Sequence, residues 1–294
     1  MNRAMRTLLS VPTPDPLAPD LITQIQSFGF RGVRVDVHPD DHALVTAQMR
    51  SLVQHADLFV IYLLFGGTME RSDGRPWEPE WMLQHVRDVC TKLRDLGMGA
   101  RDLALEIGNE SDLACKRWKK NPEELGRLYK ECIGIVKSFS GSWHCLSPSI
   151  SNLDEDSLEY LEKMALPVGA EVSFHRYPPG KDFWSAHRGF RGRTEEVDAL
   201  KTIARGAPLW HTEGGWAEIN RDYTLTELEV AERMGSEVRF WRDAGVECFT
   251  AYQINSATIY AGDDGDTKRL KTYGARRADG SWKPWATAVK EAMG

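Results

Sequence analysis

The chain has 294 residues, of which 41% are hydrophobic and 27% are charged, and its formal net charge at pH 7 is -6. These values are typical of a folded globular protein and exclude intrinsically disordered, collagen-like and coiled-coil classes. The sequence has no basic tail, which disfavours nucleic acid as a partner. It also has no apolar run near the roughly 20 residues that span a bilayer, which disfavours a membrane.

The N-terminus and the cysteines bear on the cellular compartment. Arg3 and Arg6 precede only a short apolar stretch that Pro12 interrupts, and this stretch is too short for a signal-peptide core. As written, the chain is expected in the cytoplasm, or outside the cell if a leader had been removed. The five cysteines are widely spaced and include no C-x-x-C pair, so we expect them to be reduced and mostly buried.

Eight short apolar runs alternate with amphipathic segments along the chain. The predicted strands are Thr7–Val11, Gly32–Val37, Leu58–Phe65, Leu103–Gly108, His144–Ser149, Glu171–His175, Leu209–Thr212 and Cys248–Gln253. Asn121-Pro122 and the capping box at Thr226 mark helix starts. Gly29, Gly97 and Gly245 mark helix ends. Strand and helix repeated eight times predict parallel strands joined by crossover helices.

This pattern favours an α/β fold of the (β/α)8, or TIM-barrel, type. Eight units of about 37 residues suit such a barrel with short loops. A doubly wound open sheet is the rival, but it would need a glycine-rich phosphate turn after the first strand. The chain has Pro12, Pro14 and Pro16 there. No linker or composition shift interrupts the sequence, so we predict one barrel domain over residues 1–294, with its chemistry at the C-terminal strand ends.

Two of the predicted strands end on a glutamate. The fourth runs into Asn109-Glu110 and the seventh into Glu213, 103 residues later. Strands four and seven lie on opposite sides of an eight-membered ring, so the two carboxyl groups can face each other across its mouth. Such a pair suits glycosidic bond cleavage, in which one group protonates the leaving oxygen and the other attacks or activates water. Repulsion between two such charges raises the pKa of one of them, which creates the acid.

Several segments carry a family resemblance. Glu106-Ile107-Gly108-Asn109-Glu110 resembles the E-x-x-N-E motif at the fourth strand of clan-A glycoside hydrolases. These are (β/α)8 retaining enzymes that include many cellulases, mannanases and β-glycosidases. Gly32-Val33-Arg34-Val35 looks like their second-strand segment, and Phe174-His175-Arg176-Tyr177 is similar to their H-x-Y after strand six. Tyr273–Trp285 resembles the tail before their last helix, so the resemblance covers roughly residues 30–290.

The resemblance implies a retaining glycoside hydrolase that cleaves β-glycosidic bonds by double displacement. Glu110 would be the acid/base and Glu213 the nucleophile, and no cofactor is implied. The expected partner is an oligosaccharide, a polysaccharide or a glycoside. The sequence leaves open which sugar and linkage are cleaved, and whether action is endo or exo.

The resemblance and the aromatic residues also suggest substrate contacts. They are Arg34, Asn109, His175, Tyr177, Trp216, Trp184, Tyr252 and Gln253. Asn109 would bind the sugar 2-hydroxyl, and Arg34 and Tyr177 would donate hydrogen bonds to Glu213. His175 would contact a sugar hydroxyl or position the acid/base. Trp216 and Trp184 are expected to stack on sugar rings, whereas Tyr252 or Gln253 would replace the tryptophan that often ends strand eight in this clan.

Other interpretations of the same residues remain open. One is a carbohydrate-binding barrel that has lost turnover. Another is a metal-dependent hydrolase or lyase using Asp36, His38, His175 and His211, although we expect His211 to face away from Glu213. The basic residues after strand six either form a solvated loop or select an anionic sugar; they are Arg176, Lys181, Arg188, Arg191 and Arg193. Asp263–Asp266 lacks a full calcium-loop pattern and predicts a turn, so no metal site is predicted.

Overall fold

The computed structural model describes residues 5–11, 17–37, 42–66, 77–113, 116–177, 193–220, 223–254, 272–277 and 279–294. The strands are β1 (Arg6–Val11), β2 (Gly32–Asp36), β3 (Phe59–Leu63), β4 (Ala104–Glu106), β5 (His144–Leu146), β6 (Val172–Arg176), β7 (Leu209–Gly214), β8 (Ile219–Asn220), β9 (Tyr223–Thr224) and β10 (Cys248–Ala251). The helices are α1 (Pro19–Ser27), α2 (His42–Val53), α3 (Pro79–Asp95), α4 (Lys116–Lys120), α5 (Pro122–Phe139), α6 (Glu155–Lys163), α7 (Arg193–Ala204), α8 (Glu227–Ala244) and α9 (Pro284–Met293).

Eight of the strands form one parallel sheet in the order β5-β4-β3-β2-β1-β10-β7-β6. Bridges from Leu146 to Glu171 and from Ile150 to Phe174 bring the two outer strands together. The sheet is therefore a nearly closed barrel with interleaved helices, which confirms the predicted (β/α)8 fold. The small antiparallel hairpin of β8 and β9, which follows the seventh barrel strand, was not predicted.

The predicted helix boundaries are largely confirmed. Thr226 forms the capping box of α8 with Glu229. Gly29, Gly97 and Gly245 have φ angles of 82°, 81° and 81°, the left-handed conformation that ends helices at little cost only for glycine.

The N-cap prediction at Asn121 is correct in position only. Asn121 stands directly before α5, but its side chain makes no capping bond. Its amide instead donates to the carbonyl of Arg117, so Pro122 and the acidic first turn define this helix start.

The barrel interior changes character along its axis. The N-terminal end is closed by a small apolar cluster: Leu8, Phe59, Ile61, Ala104, Leu146, Trp210 and Cys248. Above it lie buried polar side chains, including Arg34, Glu106, Ser173 and Thr212. A larger apolar cluster fills the space between the sheet and the helices. The polar interior therefore faces the C-terminal strand ends, where the chemistry of this fold is located.

Four described cysteines are unpaired and buried, as expected: Cys90, Cys132, Cys145 and Cys248. Among the helices that the structure describes, none is both long enough and apolar enough to cross a membrane.

Candidate active site

Arg34 connects three strands at the centre of the barrel mouth. Its side chain is 2% exposed. Nε donates to Glu106 Oε2 at 2.7 Å, and Nη1 donates to Glu213 Oε2 at 2.7 Å. Nη2 donates to Asn109 Oδ1 at 3.0 Å. Burial alone would lower the pKa of Arg34, but the carboxylates of Glu106 and Glu213 outweigh it and raise that pKa. The guanidinium is thus a fixed positive charge beneath the site.

Glu106 is the buried counter-ion of this arginine. Besides Arg34, it accepts hydrogen bonds from Ser173 Oγ at 2.5 Å and Thr212 Oγ1 at 2.7 Å. Burial favours the neutral acid, but the attraction of Arg34 wins and holds the pKa of Glu106 below its usual value. Its side chain is completely inaccessible, so Glu106 supports the site from below and does not meet a substrate.

Glu213 receives one donor on each carboxylate oxygen. Arg34 binds Oε2, and the hydroxyl of Tyr177 donates to Oε1. Burial and the charge of Glu213 raise the pKa of Tyr177 well above its usual value, so its hydroxyl remains a donor. The Glu213 side chain is 13% exposed. The two donors hold the carboxylate in one orientation, and the side chain stays partly exposed.

A β-bulge in β7 sets the direction of Glu213. Phe174 pairs with His211 and His175 pairs with Glu213, so one extra residue is present on β7 between these pairs. Regular alternation would place residues 211 and 213 on the same face. Because of the bulge, Thr212 and Glu213 both face the barrel interior.

His211 points to the outer side of β7, as expected, because it alternates with Trp210, which faces the barrel interior. It packs against the rings of Phe174, Trp241 and Phe249. Burial lowers its pKa well below the usual value, so the ring is neutral. His211 therefore does not join Asp36 and His175 in the metal set of the alternative interpretation, and His38 lies outside the described residues.

Glu110 reaches the interior through an irregular segment beyond β4. Gly108 has φ 123° and Glu110 has φ 44°, both in the region that favours glycine. The amide of Glu110 donates to Ser149 Oγ at 3.1 Å, which fixes this turn against the segment after β5. Strand alternation ends at Glu106, and the neighbouring residues Asn109 and Glu110 can both reach the site.

His175 lies between the two candidate catalytic glutamates. Its Nδ1 is 3.0 Å from Glu110 Oε1, and its Nε2 is 3.4 Å from Arg34 Nη2. Burial would lower the pKa of His175, but the negative charge of Glu213 and the hydrogen bond to Glu110 raise it. The protonated ring therefore persists to higher pH than in a free histidine.

The two carboxyl groups are close together. One oxygen of Glu110, one oxygen of Glu213 and one nitrogen of His175 all lie within 4.8 Å of one another. Such a trio could surround a cation, but the guanidinium of Arg34 already contacts Glu213 and repels one. The same spacing leaves room for the reacting carbon of a sugar between the two carboxyl groups.

Some predicted substrate contacts are not placed to meet a sugar. Trp216 is 1% exposed, beneath the guanidinium of Arg233, so its ring is covered and the predicted stacking is wrong for this structure. Gln253 is fully buried, so its amide does not face the cleft. Tyr252 is 9% exposed and packs edge-on against Tyr177 and Tyr273, where it supports the tyrosine that binds Glu213.

The remaining predictions concern Trp184 and the basic residues after the sixth barrel strand. Trp184 and the basic residues Lys181, Arg188 and Arg191 lie outside the described residues. Arg176 and Arg193 are both buried and pair with Glu196 and Glu237. These two arginines therefore belong to the layer behind β6 and not to a cationic rim.

The sequence interpretation missed the hydroxyls that hold Glu106. Ser173 Oγ also lies 2.6 Å from Thr212 Oγ1, and both residues are fully buried. The signal was present in part, because Ser173 is two residues before His175 and therefore on the same face of β6. Thr212 lies two residues after Trp210, which faces the barrel interior, so alternation along β7 gave the same signal for Thr212.

Comparison with solved structures shows where this architecture recurs. A GH39 enzyme from Xanthomonas axonopodis pv. citri superposes with a TM-score of 0.70 at 16% identity, over 99% of this chain and 66% of the other. The exo-β-1,4-mannosidase Op5Man5 from Opitutaceae bacterium strain TAV5 gives 0.70 at 16%, over 99% and 59%. PbGH5A, a glycoside hydrolase family 5 enzyme from Prevotella bryantii B14, gives 0.68 at 15%, over 100% and 99%.

This chain spans about two thirds of the length of the GH39 enzyme and a smaller share of the mannosidase Op5Man5. No protein-family model and no curated protein matches the sequence. At such identities the likeness concerns architecture alone. The chain is similar in fold to the (β/α)8 glycoside hydrolases of clan A.

Proposed function

We propose that this protein is a retaining glycoside hydrolase that cleaves β-linked sugars, with Glu213 as nucleophile and Glu110 as acid/base. The observation that carries the proposal is the approach of the two carboxyl groups, whose nearest oxygens are within 4.8 Å. Retaining enzymes have carboxyl groups about 5–5.5 Å apart, whereas inverting enzymes need about 6.5–9.5 Å to admit a water molecule.

The hydrogen bonds distinguish the two roles. Arg34 donates to one oxygen of Glu213 and Tyr177 donates to the other, which fixes the carboxyl group in one orientation for attack. The side chain of Glu110 contacts His175, an imidazole that can exchange a proton. Glu110 also stays the more accessible of the two, at 22% against 13%. A group that must protonate a departing oxygen and later meet water needs this access.

The reaction proceeds in two displacements. Glu213 attacks the anomeric carbon while Glu110 donates its proton to the leaving oxygen, so one C–O bond breaks as the glycosyl–Glu213 bond forms. Glu110, now ionised, removes a proton from water, and the resulting oxygen attacks the same carbon and releases Glu213. Asn109, fixed by Arg34, is the proposed partner of the sugar 2-hydroxyl. The partner is thus a glycoside, an oligosaccharide or a polysaccharide.

The test is release of reducing sugar or phenol from a panel of β-glucans, mannans, xylans and aryl β-glycosides. Wild type is compared with Glu213→Gln and with Glu131→Gln, a control on the exposed face of α5 that removes the same charge. We expect release by wild type and by the control, and a loss of at least about a thousandfold in Glu213→Gln. Sugar binding without release by wild type would support the inactive carbohydrate-binding alternative. Release that persists in Glu213→Gln would place the nucleophile elsewhere.

A further inference from the structure

A third acidic residue stands at the barrel mouth beside the two glutamates. Asp36 is the last residue of β2, two positions beyond Arg34, so its side chain lies on the same inward face one step closer to solvent. It is opposite Leu63 of β3, and it is partly exposed, unlike the fully buried Glu106. Its position is therefore at the entrance and not in the supporting layer.

Among the residues that the structure describes, none satisfies the carboxyl group of Asp36. Glu106 and Glu213 each receive hydrogen bonds on both carboxylate oxygens. Over the described ranges, Asp36 forms neither a hydrogen bond nor an ion pair with any residue. Arg34 is the nearest candidate, but it directs its hydrogen bonds to Glu106, Glu213 and Asn109. A carboxylate can accept about four hydrogen bonds, and no described residue donates one to Asp36, so its oxygens can accept hydrogen bonds from a ligand.

The chain also keeps space beside this carboxyl group. Residue 66, just beyond β3, is a glycine, and a Cβ placed there would come within 3.2 Å of Asp36 Oδ2. Any larger residue would press on the carboxylate. The glycine therefore keeps any side chain of residue 66 away from this flank of Asp36.

Charge is consistent with a role for Asp36 in binding. Burial and the charges of Glu213 and Glu106 raise its pKa, Arg34 opposes them, and the result is about 6. At neutral pH the group is ionised and accepts hydrogen bonds only. The charges of Arg34 and Glu213 act on Asp36, as expected from its place on the inward face of β2 two residues beyond Arg34.

We propose that Asp36 is a specificity-determining residue that binds hydroxyl groups of the glycone remote from the anomeric carbon, at positions 3 and 4. This inference rests on the proposed function. The anomeric carbon must lie between Glu110 and Glu213, and Asn109 is the partner of the 2-hydroxyl. Asp36, further out on β2, then faces the far side of the ring, where neighbouring hydroxyls can donate to its two oxygens.

The first test combines variants of the protein with variants of the substrate. The aryl β-glycoside that wild type cleaves best is compared with its 3-deoxy and 4-deoxy analogues, for wild type, Asp36→Asn and Asp36→Ala. We expect kcat/KM of Asp36→Ala on the parent glycoside to fall at least tenfold, with a smaller fall for Asp36→Asn. On a 3-deoxy or 4-deoxy analogue, kcat/KM of wild type should fall by the same factor as Asp36→Ala loses on the parent glycoside. The kcat/KM values of the variants should fall little further on that analogue. Asp95→Asn, an exposed control at the far end of α3, should match wild type.

A binding measurement separates this inference from the proposed function. Calorimetry with the matching disaccharide on Glu213→Gln, with and without Asp36→Ala, needs no turnover. Weaker binding in the double variant would support the role of Asp36, whether or not wild type hydrolyses any substrate. A wild type that hydrolyses nothing would refute only the proposed hydrolysis. Equal binding, or an equal kcat/KM loss on parent and deoxy substrates, would refute the inference. Thermal unfolding of each Asp36 variant should not fall below that of wild type at neutral pH, because burial raises the pKa of Asp36 and the ionised group therefore does not stabilise the fold.

Discussion

Replacing Arg34 by methionine should destabilise the fold as well as abolish turnover. The substitution keeps much of the side-chain volume but removes the hydrogen bonds to Glu106, Glu213 and Asn109. The main cost arises at Glu106, which is fully buried and would lose its counter-ion. Removing one partner of a buried ion pair typically costs about 3–5 kcal/mol. That is a large part of the roughly 5–15 kcal/mol that stabilises an ordinary domain.

The loss in free energy of unfolding caused by Arg34→Met should increase as pH rises. In wild type, Arg34 holds the pKa of Glu106 below its usual value, and the stability this contributes is lost as pH falls. In Arg34→Met, burial without the cation raises the pKa of Glu106 above its unfolded value. As pH rises, Glu106 of the variant therefore loses its proton at a lower pH in the unfolded chain than in the folded protein. The deficit of the variant therefore grows by up to about 1.4 kcal/mol for each pH unit above roughly 4.3.

Urea unfolding at pH 5 and pH 8 measures both effects, with Glu106→Gln and the double variant completing a mutant cycle. We expect Arg34→Met to be less stable than wild type by about 3–5 kcal/mol near neutral pH. The double variant should regain more than about 1 kcal/mol of this, because it buries no unpaired charge. A stability of Arg34→Met that equals wild type at both pH values would refute the account of Arg34 as the counter-ion of Glu106.

Three further predictions concern the site. Glu110→Gln should lower kcat by about 10²–10⁴-fold on alkyl glycosides and much less on dinitrophenyl glycosides, whose leaving group needs no proton; equal losses would refute its role as acid. Tyr177→Phe removes a hydrogen bond to a charged group, so kcat/KM should fall about 10–150-fold while urea unfolding changes little; full activity would show that the bond to Glu213 is dispensable. His175→Gln should remove stability that is present below about pH 6.5 and fades as pH rises, because the pKa of His175 is raised in the fold; a stability difference from wild type that does not change between pH 5 and pH 9 would contradict this.

The regular parts of the molecule could be predicted from sequence because they follow simple periodicities. All eight barrel strands were predicted, since their apolar runs are bounded by helix caps that local chemistry determines, as at Thr226 and Gly245. The pairing of Glu110 with Glu213 followed from the strand count. Both predictions depend on topology, which tolerates errors of one or two residues at strand ends.

The unpredicted features depend on local departures from regular geometry. The bulge in β7 brings Glu213 to the barrel interior beside Thr212, and no residue type in Trp210-His211-Thr212 signals it. The burial of Trp216 depends on where the chain runs after β7, which composition does not reveal. Asp36 was considered only as a metal ligand, because only the hydrogen bonds of Arg34 reveal that no described residue pairs with its carboxyl group.

Trapping the covalent intermediate tests the central claim most directly. The protein is incubated with the 2-deoxy-2-fluoro derivative of its best aryl β-glycoside carrying a dinitrophenyl leaving group, and is then digested and mapped by mass spectrometry. The account predicts one glycosyl adduct per chain on the peptide that contains Glu213, and none in Glu213→Gln. Hydrolysis of the parent glycoside with no adduct and with an inverted anomer as the first product would contradict it.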